Sequence, residues 1–476
     1  MLARRSAGAA PPRPRDWLRL GLAAGLAAVV AGLLLALGGP LAAGALLLAL
    51  GAGYAVMRDL GLGFVGVVAV VCLLPFATIP VDVGLTPTLL DLALGATLGV
   101  WALSFASGKR RTMITSPITI PLLIFMLVAL FAFIFGLANG PLTANLLRHF
   151  AELLLSIGFA LVVVDYFSSW ERLAQITRLL LLAGSAAALI SILLWLLPDL
   201  VANDLLNVLQ RVGYPGGLVI RYIEDDPEQA ERAIGTAIDP NALGGLLLMI
   251  GSLAAGQLAA RRPLFRRWQV LAMLALVGVA LVLTFSRGAM LGLAAGALFL
   301  AVARYRRLIP YMLAALAFLL LLPASQDYVA RFLAGFAGED LATQMRFGEY
   351  RDALELISRY PLVGVGFAGS PDIDLYLGVA SVYLTIGGQM GILGLVAFAA
   401  VLIALFGAFI AHRRALQANQ RLISIWLGLH AAVAGALVAG FFDHYLFNID
   451  FHHAVTVFWL FLGLAAAASR TGAAEE

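Results

Sequence analysis

The chain has 476 residues, 62% of them hydrophobic and 12% charged, with a formal net charge of +4. So little polar surface excludes a water-soluble globule of this size, and with it a soluble nucleic-acid-binding protein. The single cysteine, Cys72, excludes an intrachain disulfide framework and a thiolate metal cluster.

A basic, proline-rich tail over 1–18 comes first, without the cleavage pattern of a secretory signal, and is expected to remain cytoplasmic. Apolar runs then follow one another to residue 468. A hydrocarbon core of roughly 30 Å takes about 20 residues of helix, so the expected fold is an all-α polytopic membrane protein of about 14 transmembrane helices. The expected spans are 19–37, 41–57, 60–79, 85–105, 118–137, 149–165, 176–197, 242–259, 268–285, 289–303, 309–323, 391–411, 423–442 and 453–468. Together they make one bundle over 19–468, with a second cytoplasmic tail at 469–476.

Fourteen spans put both termini on one side. With that side cytoplasmic, 22 of the 31 basic residues fall inside, as the positive-inside rule requires. The expected location is the bacterial inner (cytoplasmic) membrane, N-in and C-in. Nine arginines remain outside: Arg148, Arg211, Arg221, Arg232, Arg287, Arg331, Arg346, Arg351 and Arg359. Two external loops are long, 199–241 and 324–380, and the second contains a helical pattern, TQMRFGEYRDALELISRY. Spacing of three and four residues puts Arg346, Glu349 and Tyr350 on one face of that helix and sets Arg351 over Glu355.

Arg287 sits between two short spans, each bounded by arginine clusters (RRPLFRR and RYRR) at its far end. A short hairpin leaves Arg287 at or just below the external surface, where an ionisable group marks a site more often than a snorkelling side chain. Arg232 precedes a helix start near Pro240, with Asp239 or Asn241 as the cap and Glu228 or Glu231 as ordinary ion-pair partners. Guanidinium groups grip phosphate in a two-pronged way, and Arg232, Arg287 and Arg346 converging over a bilayer would suit a pyrophosphate-linked lipid. There is no nucleotide-binding glycine loop, zinc-ligand spacing or nucleophile elbow.

Three segments carry a family resemblance. RAIGTAIDPNALGG resembles the arginine-glycine-threonine and proline-asparagine signature of the O-antigen ligase and polymerase family, and LTFSRGAMLGL resembles its threonine-x-serine-arginine-glycine motif. RFGEYRDALELISRYPLVGVGFAG is similar to its long-loop pattern, which ends in Pro-Leu-x-Gly-x-Gly. The resemblance implies an inverting, metal-independent glycosyltransferase with no cofactor and no metal ligands. Its donor would be an undecaprenyl-pyrophosphate-linked oligosaccharide, its acceptor a hydroxyl of a glycan or glycolipid, and its working face periplasmic. Carried over residue by residue, it assigns pyrophosphate binding to Arg232, Arg287 and Arg346.

The family pattern continues with a histidine read as the base, followed by a glutamate. Here Ala380 and Gln389 stand at those positions, and neither accepts a proton near neutral pH. Asp374 is the first candidate to replace the base, ahead of its neighbour Asp372, and His444 the second. Against that reading, the aspartates fit loop caps, and His444, His452 and His453 fit an interfacial belt. The missing histidine favours polymerase-like over ligase-like transfer. The alternatives are a transporter or flippase of lipid-linked sugars, whose folds carry paired repeats and mid-membrane charges, and a catalytically silent relative that binds the carrier lipid.

Overall fold

A computed structural model describes Gly44, residues 51–78, 86–321, 341–370 and 378–474, and isolated positions between 326 and 337. The N-terminal tail, the expected first span, Arg331, Asp372 and Asp374 lie outside the described residues.

After a helical stretch at 51–58, a helix stands at each expected span from residue 60 onward. These are α1 (Leu60–Leu73), α2 (Leu89–Ala106), α3 (Thr119–Gly136), α4 (Ala144–Tyr166), α5 (Trp170–Trp195), α7 (Pro240–Leu258), α8 (Arg267–Leu283), α9 (Arg287–Ala303), α10 (Ile309–Leu321), α12 (Val382–Ala411), α14 (Ile423–Ala439) and α15 (His452–Ala474). Between them lie α6 (Asp199–Val208), α11 (Leu341–Arg359) and α13 (Arg413–Ala418). Among the described residues seven helices, α2, α3, α4, α5, α7, α12 and α15, are long and apolar enough to cross a membrane, and α1, α8, α9 and α14 are shorter and equally apolar. The all-α expectation needs one small amendment. Loop 199–241 holds a two-residue antiparallel pair, β1 (Arg221–Tyr222) on β2 (Glu231–Arg232).

Caps explain several helix starts. Thr88 and Asp91 form a reciprocal capping box on α2, Thr143 caps α4 and Ser169 caps α5, each answering amides that the first turn leaves without partners. Asp239 accepts from the amides of Asn241 and Ala242, with Pro240 opening α7.

Small residues bring the central helices together. Along α9, Gly288, Gly292 and Gly296 recur every fourth position, and a Cβ at Gly292 would stand 2.7 Å from the Gly435 carbonyl oxygen of α14. In lipid, where burial of apolar surface gives little drive, such backbone approach is what holds helices together. α15 is buried almost throughout, with Trp459 and Phe461 fully enclosed. Its last turns continue past residue 468: Ser469 is 1% exposed and accepts a 2.9 Å hydrogen bond from Trp426 Nε1. The expected tail at 469–476 is therefore helix as far as Ala474.

One helix is broken by design of its sequence. Within α12, Gly391 adopts φ +63°, ψ −163°. The amides of Ile392 and Leu393, released by the break, donate to the carbonyls of Pro361 and Leu362. The segment that follows α11, Pro-Leu-Val-Gly-Val-Gly, is threaded between α3 and α12: the amides of Val365 and Gly366 donate to the carbonyls of Gly388 and Gln389. Gly364 and Gly366 both have positive φ, and a Cβ on Gly366 would stand 2.4 Å from Gly136 Cα. Glycine is required at these positions by backbone shape and by space.

Candidate functional site

The ends of α8 and α14 and the starts of α7, α9 and α15 meet at one end of the bundle. Arg261, Arg304, Arg306, Arg307 and Arg413 gather at the other end, around a cleft of about 690 Å³.

Arg232 closes β2 and is held from two sides. Its Nε donates to the Thr284 carbonyl at 2.9 Å and its Nη2 to Asn241 Oδ1 at 2.8 Å. Asn241 thus serves the arginine while Asp239 caps α7. The amide of Ala233 donates to the Leu283 carbonyl, which fastens loop 199–241 to the turn 284–286. In that turn Phe285 takes φ +53°, a costly conformation for an aromatic residue that persists where the surroundings enforce it. Arg287 follows as the first residue of α9, half-buried. It is flanked by Ser286, which faces Gly244 of α7, and by Gly288, which faces Phe442. The expected short hairpin is what forms, 17 residues on each side.

Arg346 comes from α11. On this helix Arg346, Glu349 and Tyr350 are half-buried, Ala353 and Leu356 buried, and Met345, Phe347 and Gly348 exposed, so the expected shared face is the docked face. Tyr350 donates from its hydroxyl to the carbonyls of Phe441 (2.8 Å) and Ala380 (3.1 Å), and Glu349 Oε2 accepts from the Ala380 amide at 3.0 Å. Arg346 Nη2 lies 4.0 Å from Asp443 Oδ2. Glu355 pairs with Arg359, one turn on, and not with Arg351 as the spacing suggested, and this solvent-facing pair carries little energetic weight.

Arg232 is thus tied to the turn that leads into Arg287, Gly288 beside Arg287 packs on Phe442, and Arg346 faces the carboxylate of Asp443, next in sequence to Phe442. Burial pushes the Arg232 guanidinium pKa down; the carboxylates of Asp239 and Asp443 pull it back up, and like-charge repulsion from Arg346 lowers it again. The partly buried guanidiniums of Arg232, Arg287 and Arg346 outnumber the Asp239 and Asp443 carboxylates at this corner, which favours an incoming anion.

Ala380, where the family histidine would stand, lies against this same corner. The amide of Val382, two residues on, donates to the carbonyls of Gly440 and Asp443. His444 is half-buried beside it, its Nδ1 3.6 Å from Asp443 Oδ1 and without a hydrogen-bond partner. Asp443 and Glu349 are the groups that sequence reasoning did not single out as part of the site. A signal for Asp443 was present, an acid directly before the candidate histidine in FFDHYLF.

Nearby, Glu231 is pushed up to about 7, first by burial and then by the carboxylate of Asp199. Trp195 donates to its backbone carbonyl at 3.2 Å.

No curated protein matches the chain. Residues 270–399 match the family described as O-Antigen ligase, a range that contains Arg287, Arg346 and the threaded glycine segment and leaves Arg232, Asp443 and His444 outside it. Over that segment the chain is similar to the O-antigen ligase family, and its long apolar helices suit an integral membrane protein.

Proposed function

We propose that this protein transfers an oligosaccharide from undecaprenyl pyrophosphate to a hydroxyl of a glycan or glycolipid at the periplasmic face, in the polymerase-like manner. The observation that carries the reading is the placing of Arg232 and Arg346 about Asp443, with Arg232 hydrogen-bonded to the turn that presents Arg287.

In the reaction, the acceptor oxygen attacks the anomeric carbon of the donor sugar. The bond from that carbon to the pyrophosphate oxygen breaks, and the carrier leaves with the electron pair as a pyrophosphate anion. Inversion at carbon follows from a single displacement. Arg232, Arg287 and Arg346 stabilise the charge that develops on the leaving group, and electrostatic preorganisation of this kind supplies the largest share of rate in many enzymes. Their places on β2, at the start of α9 and on the docked face of α11 hold them before substrate arrives, so little reorganisation accompanies the charge. Binding of pyrophosphate to Arg346 releases Asp443, which then supports His444 as acceptor of the hydroxyl proton. His444 takes the place of the family histidine because its backbone neighbours the Ala380 segment. Asp374 remains the alternative base.

The test is reconstitution with undecaprenyl-pyrophosphate oligosaccharide, measuring free carrier pyrophosphate and product length. Release with chain growth is expected, and Arg287→Ala should reduce it by about 100- to 1,000-fold. Release with transfer to a lipid core instead of chain growth would make the protein a ligase. Movement of the donor across the bilayer without release would replace the transferase reading with a transporter.

A further inference from the structure

A second group of polar side chains lies buried at the same end of the bundle, drawn from three helices far apart in sequence. Asp91 is in the first turn of α2, Glu152 in the third turn of α4, and His452 is the first residue of α15. Glu152 is 3% and His452 9% exposed. One ligand atom from each residue can be chosen so that all lie within 4.8 Å of one another.

The hydrogen bonds around them leave the atoms a cation would use unsatisfied. Asp91 Oδ2 accepts from the Thr88 amide at 2.7 Å as part of the α2 cap, which fixes the carboxylate and leaves Oδ1 turned to His452 Nδ1 at 3.3 Å. Asp91 Oδ1, Glu152 Oε1 and both ring nitrogens of His452 have no hydrogen-bond partner. Buried polar atoms are rarely left so, and each such atom asks for a missing partner. Two basic residues stand close: Arg148 Nε is 3.3 Å from Glu152 Oε1, and His149 Nδ1 is 3.1 Å from Glu152 Oε2 and 3.2 Å from the Ile449 carbonyl. Arg148 also donates from Nη1 to the Thr86 carbonyl. With His149 neutral, the Arg148 guanidinium stands against the buried Glu152 and the half-buried Asp91 carboxylates, which leaves a net negative charge for a divalent cation to balance.

We propose that Asp91, Glu152 and His452 form a binding site for a divalent cation of the zinc type, which ties α2, α4 and α15 together beside the arginine corner. A tetrahedral zinc site with bonds of about 2.0–2.1 Å places neighbouring ligand atoms roughly 3.3 Å apart. The aspartate and histidine atoms already stand at that separation, and Glu152 closes the site by a small side-chain movement toward them. Two carboxylate oxygens and one imidazole suit zinc or manganese better than calcium, which takes six or more oxygens. A fourth position is left for water. The site stands apart from the transfer proposed above, since neither Asp91, Glu152 nor His452 belongs to that machinery.

The test is metal content by mass spectrometry on protein purified in detergent, incubated with zinc chloride and freed of excess by gel filtration, together with melting temperature with and without EDTA. The wild type should retain roughly one zinc per chain, and Asp91→Asn and His452→Ala should fall below about a tenth of that. EDTA should lower the melting temperature of the wild type and leave those of Asp91→Asn and His452→Ala unchanged. Arg148→Ala removes the competing cation, so it should keep its zinc and gain melting temperature when zinc is added. Equal zinc in the wild type and His452→Ala, or none in either, overturns the site. So does a loss of melting temperature in Arg148→Ala that zinc does not restore, since the cluster is then a network of ion pairs only.

Discussion

Two residues at the corner show how burial sets chemistry. His444 carries the proton in the proposed transfer, whereas Arg346 binds the donor's charge. Accordingly His444→Ala should lower kcat about 100-fold or more with little change in KM for the carrier lipid, and Arg346→Ala should damage kcat/KM most. A matching loss in both variants would mean that His444 only positions the arginine. Glu231, adjoining Arg232, gives a stability prediction. Its carboxyl is raised from 4.5 to about 7 because burial and Asp199 disfavour the charged form. A raised pKa stabilises the fold fully below pH 4.5, where both folded and unfolded chains hold the proton, and that contribution is lost as pH rises through about 7. Glu231→Gln should therefore melt higher than the wild type at pH 8 and no higher at pH 4, as read by thermal denaturation at the two pH values.

The elements were legible where one apolar run makes one helix, and blurred where polar residues are buried. Gly391 looked like the start of a span, yet α12 begins at Val382, because Gly387 and Gly388 break the apolar pattern while packing fully inside. α15 outruns residue 468 for the same reason: Ser469 reads as tail and packs as core against Trp426. The face of α11 was readable from spacing, but its partners were not. Tyr350 and Glu349 bind main-chain groups of residues 380 and 441, and a backbone carbonyl carries no sequence signature. The scattered cluster of Asp91, Glu152 and His452 was hidden altogether, since no local spacing links three helices. For the kink itself, a Cβ on Gly391 would stand 2.4 Å from Leu362 backbone atoms at φ +63°. Gly391→Ala should cost more than about 2 kcal/mol, seen as lower melting temperature and a lower yield of monodisperse protein. A variant indistinguishable from wild type would mean that α12 can straighten without loss.

At the scale of the whole molecule, the two ends differ in charge, and orientation follows from which end faces the cytoplasm. With the arginine-lined cleft inside, a reagent that cannot cross the membrane should label Glu228→Cys on intact cells and leave Ser107→Cys unlabelled, in a Cys72→Ser background. Both positions are exposed, at opposite ends of the bundle. The reverse pattern would invert the topology and with it the face at which transfer is proposed.

Arg232 and Asp443 are also separated in time. Synthesis at about 5–20 residues per second delivers the carboxylate roughly ten to forty seconds after the arginine, because one lies on β2 and the other beyond α14. Through that interval Arg232 has its early neighbours, Asp239, Asn241 and Thr284, and the corner has no floor. The nascent chain is therefore committed to a positively charged, half-built pocket that only the segment made after α14 completes.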